Sequence, residues 1–225
     1  MDLDYDKLSK TGEEQARRLG HFWARHRIQF DHIVHGPAKR HVRTMEIAGD
    51  IVRAAGITWP EPERCSAFDE FDAFSMMKTV LPLLRTSDPE IEKLAAEFDA
   101  KQHTPEAGRV LQKLFEAACR IWCMGEIDTP DLETWAQFRK RISGAVDALR
   151  AAAKPSTSTA VFTSGGPIAA TIGHTLKLDP RATIEFVWLS RNSSWSQFLF
   201  SGHRMSMHAF NAVPHLDDLN LLTYR

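Results

Sequence analysis

The chain has 225 residues and a formal net charge of -1, from 28 lysines and arginines against 29 aspartates and glutamates. This length is enough for one α/β domain with a sizeable core, and we expect residues 1–225 to form a single domain. The balanced charge provides no overall field for nucleic acid or an anionic membrane, so any bound anion must be held by a local cluster. No signal peptide opens the sequence and no apolar run could span a bilayer, so a cytoplasmic location is expected.

The first part of the sequence predicts a helix, a strand and a second helix. Residues 11–14 (TGEE) match a capping box, with Thr11 as the N-cap of a helix that runs to about residue 26. Residues 30–35 (FDHIVH) predict a short strand that ends at Gly36-Pro37. A helix follows from about Arg40 to a stop at Gly56. This β-turn-α unit carries basic residues in its turn.

The middle of the sequence predicts helices. Residues 57–64 are broken by proline. Helices are then expected through Met76, Met77, Val80 and Leu84, from the Ser87-Asp88-Pro89 segment, from 104–106 to about 123, and from 129–131 towards 153. We expect residues 68–153 to form a helical insertion between two β-α units. Cys119 and Cys123 lie one helical turn apart, which favours a structural role on a helix face over a disulfide or a zinc site.

The last part of the sequence centres on residues 159–171 (TAVFTSGGPIAAT), where a β-branched run turns through glycines into a helix. In such a turn, backbone N–H groups point into the turn beside the positive end of the helix dipole. This arrangement predicts an anion site. Residues 183–189 (TIEFVWL) predict a strand, and residues 195–200 and 205–210 predict a hairpin. Together these patterns predict a three-layer α/β/α fold with a mainly parallel sheet and an antiparallel edge hairpin.

Arg40 and Glu70 are two candidate site residues. Arg40 lies near the start of the helix after strand 30–35, where its planar guanidinium can bind two phosphate oxygens at once. A solvated arginine on a basic helix is the alternative. Glu70 lies between Phe68 and Phe71, where desolvation favours the protonated form that donates a proton near neutral pH. An acid favoured by a helix dipole fits the same local sequence.

Ser164 and Gly165 are candidate site residues at the central turn. The Ser164 hydroxyl fits a nucleophile, a hydrogen-bond donor to phosphate, or merely a small residue in a tight bend, and the local sequence leaves all three open. Gly165 contributes a backbone N–H to the same anion site. No residues have the spacing of zinc or magnesium ligands, so neither a metal nor another cofactor is expected.

Five motifs in order resemble the histidine phosphatase superfamily, which has the phosphoglycerate-mutase-like fold. They are residues 8–16 (LSKTGEEQA), 35–47 (HGPAKRHVRTMEI), 69–72 (DEFD), 163–166 (TSGG) and the tail from 191 to 216. The resemblance covers essentially the whole chain. It implies metal-independent phosphoryl transfer, in which a histidine attacks phosphorus, arginines stabilise the oxygens and an acid protonates the leaving group. By position, Arg40 and Ser164 match phosphate-binding residues and Glu70 matches the acid.

Two departures from the family pattern bear on activity. The family opens with a strand ending in Arg-His-Gly, whose histidine is the nucleophile, and residues 1–6 (MDLDYD) begin just after that place. The histidine of the family's Ser-His-Gly-Gly turn is Ser164 here, and a hydroxyl cannot carry an imidazolium charge. The sequence as written therefore lacks its nucleophile. We expect either a preceding strand in the natural chain or a degenerate relative, and we favour the first because the other motifs are intact and a lost strand would open a sheet edge.

Three functions are compatible with the sequence. The leading one is a phosphatase or mutase-like protein, impaired as written, that acts on a small phosphomonoester and binds it or inorganic phosphate. The second is a serine hydrolase that uses Ser164, although Phe162 replaces the glycine expected two residues earlier. Its base and acid would be drawn from His203, His208, His215, Asp217 and Asp218. The third is a non-catalytic phosphate- or partner-binding module. Neither nucleic acid nor a membrane is an expected partner, and a homodimer is left open.

Overall fold

The computed structural model describes residues 6–127, 129 and 131–224. Residues 1–5 of the acidic start, and Pro130 in the expected start of the last insertion helix, lie outside the described residues. The helices are α1 (Lys10–Arg25), α2 (Lys39–Ala54), α3 (Ala73–Ser87), α4 (Pro89–Lys101), α5 (Ala107–Trp122), α6 (Trp135–Ala152), α7 (Gly165–Leu176) and α8 (Pro180–Leu189). The strands are β1 (His32–His35), β2 (Glu63–Arg64), β3 (Thr159–Phe162), β4 (Trp195–Ser201) and β5 (Arg204–Ala212).

The central sheet has the strand order β2-β1-β3, and both pairings are parallel. His35 at the end of β1 is opposite Arg64 on one side and Phe162 on the other. The predicted parallel sheet is confirmed, although β1 is shorter than residues 30–35. Because the strands are parallel and in register, their carboxyl ends lie along one edge, where the connections to α2 and α7 begin.

The sheet separates two apolar clusters, as expected for three layers. Neighbouring residues of a strand point to opposite faces, and β1 shows this directly. Ile33 packs with buried residues of α1 and α2, whereas Val34 packs with the larger cluster built from α3 to α8. Phe162 of β3 joins the first cluster, and Val161 packs against the second.

The predicted hairpin is confirmed as the antiparallel pair β4 and β5. Among the described residues this pair forms a separate two-stranded sheet and does not hydrogen-bond to the central one. It is attached through side chains instead. Trp195 packs against the α1–α2 cluster, and Met205 packs against the larger cluster on the other side.

The strand predicted over Thr183–Leu189 is wrong, because these residues form most of α8. Asp179 caps this helix by accepting a hydrogen bond from the Ala182 backbone N–H, and Pro180 occupies its first turn. The apolar residues then bury one helical face, since Thr183, Ile184 and Val187 are buried while Leu189 is exposed. Start signals and helical spacing therefore outweighed the β-branched and aromatic composition.

Three helix starts also differ from prediction, and one of them is α5, which begins at Ala107 rather than at residue 104. Ser9, not Thr11, caps α1, because its side chain accepts a hydrogen bond from the Gly12 backbone N–H. Helix α6 begins at Trp135, where Thr134 and Gln137 form a capping box. Helices α3 to α6 lie within residues 73–152, and Cys119 and Cys123 are buried in their core. No helix in the described part of the chain is long and apolar enough to cross a bilayer.

Candidate functional site

Three connections at the carboxyl edge of the central sheet bring the predicted residues together. Arg40 lies in the first turn of α2 after β1, Ser164 separates β3 from α7, and Glu70 follows β2 after a short 3-10 turn at Ser66–Phe68. The side chains of Arg40 and Ser164 are in hydrogen-bond contact, and Glu70 reaches the start of α7. Gly165 is the first residue of that helix.

Arg40 links Ser164 to an aspartate at the start of the described chain. Its Nε and Nη2 groups donate hydrogen bonds to Ser164 Oγ at 3.2 and 2.9 Å. Its Nη1 group donates to Asp6 Oδ1 at 2.6 Å, and Asp6 Oδ2 accepts the Lys39 backbone N–H at 2.7 Å. Asp6 therefore neutralises Arg40 and also satisfies a donor at the N-terminus of α2, whose N-cap Ala38 has no side chain for that purpose.

His41 forms the buried floor of the site. Its side chain is 3% exposed, and Nε2 lies within hydrogen-bond distance of Ser164 Oγ. Burial, with a smaller contribution from the Arg40 charge, lowers the pKa of His41 to about 4, so the ring is neutral at pH 7. Gly36 permits this packing, because a Cβ there would lie 2.5 Å from His41 Nδ1 and 2.6 Å from the Phe68 carbonyl oxygen.

Glu70 caps helix α7 from another part of the chain. Its Oε2 accepts a hydrogen bond from the Gly166 backbone N–H at 3.1 Å, and its Oε1 accepts one from its neighbour Phe71 at 3.2 Å. The approach requires glycine, because a Cβ on residue 166 would lie 1.9 Å from Glu70 Oε1. The carboxylate therefore occupies part of the helix terminus that the sequence predicts as an anion site.

The loop that carries Glu70 is held from both sides. Arg141 of α6 donates hydrogen bonds to the carbonyl oxygens of Ala67 and Asp69 at 2.8 and 3.1 Å. Thr163 donates from its hydroxyl to the Phe68 carbonyl at 2.7 Å. These contacts fix the loop relative to the end of β3, and so fix Glu70 relative to Ser164.

The histidine beside Ser164 is not one of those proposed for a serine hydrolase. His203 and His208 belong to the β4–β5 hairpin, and His215 is buried with its Nε2 at 3.1 Å from Ser193 Oγ. Asp217 instead pairs with Arg18 at 3.0 Å. His41 was not among the residues predicted to contact Ser164. Its position next to Arg40 in the first turn of a helix after a parallel strand is the signal that was available.

A cavity of about 390 Å³ lies between the starts of α1 and α2, and its lining does not include Arg40, Glu70 or Ser164. Its lining carries both signs of charge and some apolar surface: Lys7, Leu8, Glu13, Pro37, Lys39, Val42, Arg43 and Glu46. Among the described residues, no group of three or more histidine, cysteine, aspartate or glutamate side chains is arranged to hold a metal ion.

Solved structures with the same fold include several phosphoryl-transfer enzymes. A mycobacterial glucosyl-3-phosphoglycerate phosphatase with inorganic phosphate has a TM-score of 0.59 and 19% identity, over 93% of this chain and 89% of its own. A phosphoserine phosphatase variant from Entamoeba histolytica with phosphoserine has a TM-score of 0.56 and 16% identity, over 93% and 86%. A phosphoglycerate mutase from Bacillus anthracis has a TM-score of 0.58 and 15% identity, over 92% and 83%.

The sequence comparison gives the family more directly. No curated protein matches the sequence. The family model of the histidine phosphatase superfamily (branch 1) matches residues 2–213, which is nearly the whole chain. The order of the site segments along the chain and their meeting at one sheet edge agree with that match. The chain belongs to the histidine phosphatase superfamily.

Proposed function

We propose that this chain binds small phosphate monoesters or inorganic phosphate at the Arg40–Ser164 site, and that its phosphatase or mutase activity is impaired. The observation that carries the proposal is the Arg40 guanidinium held against the Ser164 hydroxyl at the start of α7. Arginine binds phosphate oxygens through two parallel charge-assisted hydrogen bonds. The fold neighbours with bound phosphate and phosphoserine support a ligand of this class.

The roles of the residues follow from their chemistry. Arg40, the Ser164 hydroxyl and the backbone N–H of Gly165 bind the phosphoryl oxygens. Glu70, at the opposite side of the turn, is the group that can give a proton to the leaving oxygen. Each charge-assisted hydrogen bond from Arg40 contributes roughly 1.5–3 kcal/mol. After the entropic cost of binding, this sum corresponds to millimolar affinity.

Impairment follows from the charge available at the site. Ser164 replaces the histidine of the family pattern, and the neighbouring His41 is neutral at pH 7 because its pKa is lowered to about 4. Among the described residues placed at this turn, Arg40 is then the one that carries a positive charge, and Asp6 already offsets that charge. A developing transition-state charge receives less stabilisation than the imidazolium of that histidine and an unpaired guanidinium would supply.

Calorimetric titration with vanadate tests the proposal. We expect millimolar binding to the unmodified chain, loss of binding in Arg40→Ala, and tighter binding in Ser164→His because the new ring adds a cationic donor. Arg43→Ala is the matched control, since Arg43 lies on the same helix but pairs with Glu13 and Glu46. Equal affinities in the unmodified chain and Arg40→Ala would show that this turn is not the anion site.

A further inference from the structure

Arg141 joins two loops through one guanidinium. Its Nη1 group donates hydrogen bonds to the backbone carbonyl oxygens of Ala67 and Asp69 at 2.8 and 3.1 Å. Its Nε and Nη2 groups donate to the two carboxylate oxygens of Glu133, both at 2.7 Å. The pairing with Glu133 is bidentate, so it fixes the orientation of the guanidinium as well as its position. The loop that carries Glu70 is therefore bonded to an oriented side chain of α6.

The packing of α6 makes Arg141 a firm support. Phe138 and Ile142 of the same helix are fully buried, and both belong to the larger apolar cluster. The guanidinium carbon lies 5.1 Å from the centroid of the Phe138 ring, a distance at which an aromatic face attracts a cation. The hydrogen bond to Glu133 raises the pKa of Arg141, and the charges of Asp69 and Glu70 act in the same direction. Arg141 therefore also attracts the Glu70 carboxylate electrostatically.

The peptide group that Arg141 holds is the one that leads into Glu70. The Asp69 carbonyl and the Glu70 N–H belong to the same peptide group, which is planar. Arg141 bonds its oxygen, and the Asp69 side chain accepts its N–H at 2.9 Å. Fixing this plane also places the Glu70 Cα, and so limits where the carboxylate can reach.

The place that Glu70 reaches is part of the predicted anion site. Its Oε2 accepts the Gly166 N–H, one of the N–H groups at a helix start that have no partner within the helix. The neighbouring Gly165 N–H is one of the groups proposed above to bind phosphoryl oxygens. A carboxylate here repels a phosphate ligand, because both are negatively charged. The support that holds Glu70 in place therefore also affects anion affinity.

We propose, building on the phosphate site proposed above, that Arg141 is a positioning residue that holds the Glu70 carboxylate at the start of α7 and thereby limits anion binding there. Arg141 does this through the Asp69–Glu70 peptide group and not by contact with the ligand. Its loss should free Glu70 to move away from Gly166 into solvent.

Hydrogen exchange of the Gly166 amide, followed by NMR, tests the positioning. Arg141→Met removes the guanidinium but keeps an apolar side chain over the Phe138 ring. We expect the Gly166 N–H to exchange about fivefold faster, the factor that corresponds to one lost hydrogen bond. Arg139→Met is the matched control, because Arg139 also lies on α6 and donates to a backbone carbonyl, that of Leu178, at 2.9 Å. A Gly166 rate that is unchanged, or that rises equally in the control, would overturn the proposal.

A double variant shows whether Arg141 acts through Glu70. Glu70→Ala should accelerate Gly166 exchange by itself, and adding Arg141→Met should produce no further change. Further acceleration would mean that Arg141 supports α7 by another route, which would also overturn the proposal. If Arg141→Met does not fold because Glu133 is left unpaired, Arg141→Met combined with Glu133→Gln removes both charges and should give the same fast Gly166 exchange.

Calorimetric titration with vanadate tests the effect on anion binding. Arg141→Met should bind up to about fivefold more tightly than the unmodified chain, since the carboxylate no longer faces the anion. Arg139→Met should bind with unchanged affinity. Unchanged or weaker binding in Arg141→Met is the result of a merely structural role, and it would overturn the proposed limit on anion binding. If no chain binds vanadate, the proposed function and this limit are both wrong, whereas the Gly166 exchange rates still decide whether Arg141 positions Glu70.

Discussion

Arg40 divides one guanidinium between a hydroxyl and a carboxylate. Asp6 lies on Nη1, and Ser164 lies on Nε and Nη2. A phosphate that binds at Arg40 has to compete with the Asp6 carboxylate, which carries the same sign of charge. Asp6 therefore acts on the site in two ways: it orders the arginine and it reduces the potential felt by an incoming anion.

Asp6→Asn should tighten vanadate binding by up to about fivefold, because it removes the charge of a partly exposed ion pair worth up to about 1 kcal/mol. The asparagine oxygen can still accept the Lys39 N–H, so the start of α2 keeps its partner. Calorimetric titration measures the change. Glu46→Gln is the control, since Glu46 pairs with Arg43 rather than with Arg40. Unchanged or weaker binding in Asp6→Asn would mean that Asp6 does not oppose the anion.

His215 is a second buried histidine, distant in sequence from the proposed site. It stacks on Trp195 with ring centroids 5.8 Å apart, and burial lowers its pKa from 6.5 to about 4. The unfolded chain therefore binds more protons than the folded chain between these two values. By linkage, the free energy of unfolding falls as the pH falls through this window.

His215→Gln should flatten the pH dependence of stability. Protonation of His215 in the unfolded state lowers the free energy of unfolding of the unmodified chain by about 2 kcal/mol between pH 7 and pH 5. The variant lacks this contribution, so its free energy of unfolding should decrease by about 2 kcal/mol less over the same range. Urea denaturation at several pH values gives the measurement. His208→Gln, at an exposed position of β5, should retain the full dependence. A variant curve parallel to that of the unmodified chain would rule out this contribution.

At the residue scale, sequence motifs indicated Arg40, Glu70 and Ser164, which lie together in the structure, but did not indicate the residues that contact them. Each of the three stands in a recognisable motif next to a glycine turn or between aromatic residues. His41 stands in the same motif as Arg40, but neither His41 nor Asp6 is identified by the sequence as a contact of the site, because these contacts span 123 and 34 positions of the chain. Single polar residues of this kind become visible only when the fold brings their partners together.

At the element scale, the start of α7 shows how the site is built from a helix terminus. Glu70 enters from the loop after β2 and accepts the Gly166 N–H, which is a favourable place for a carboxylate. The loop can come this close because residue 166 has no Cβ. Gly165 and Gly166, which predict a phosphate-binding turn, therefore also allow the contact between the Glu70 carboxylate and the start of α7.

Gly166→Ala should disrupt this contact. The added Cβ would lie 1.9 Å from Glu70 Oε1, so the carboxylate must move and the hydrogen bond to the helix is lost. We expect a loss of roughly 1–3 kcal/mol in the free energy of unfolding. Gly144→Ala in α6 is the matched control, because nothing lies within 4 Å of the added Cβ and helix propensity predicts a gain of about 0.5–1 kcal/mol. Urea denaturation compares the two, and equal effects would remove the close approach as an explanation.

The difference between strand and helix over residues 183–189 belongs to the same scale. The segment is rich in β-branched and aromatic residues, which favour strands as a local preference. Its helical form depends on the Asp179-Pro180 start and on burial of one face against the rest of the α3–α8 cluster. Tertiary burial of this kind is not contained in the local composition. The hairpin, by contrast, was predictable because its turn and alternation are local.

At the scale of the whole molecule, the site is a junction of segments that are far apart in sequence. The first turn of α2, the Glu70 loop and the β3–α7 turn meet because one parallel sheet aligns their strands. The net charge of -1 gives no long-range attraction to anions. Any phosphate that binds is therefore held by local contacts at this junction. Because the unfolded chain has no such junction, binding should raise the free energy of unfolding.

Inorganic phosphate should accordingly stabilise the folded chain through Arg40. A ligand present at ten times its dissociation constant, and bound only by the folded state, adds about 1.4 kcal/mol. For a chain of this size the thermal midpoint should rise by roughly 3–6 °C.

Phosphate also stabilises proteins without binding, through exclusion from their surface. Arg40→Ala in the same buffer measures that general effect, because it lacks the guanidinium but still excludes phosphate from its surface. Differential scanning calorimetry of both chains with increasing phosphate should therefore give a larger, saturating rise for the unmodified chain and a smaller, linear rise for the variant. Identical slopes would attribute the whole effect to exclusion and leave the junction without a bound anion.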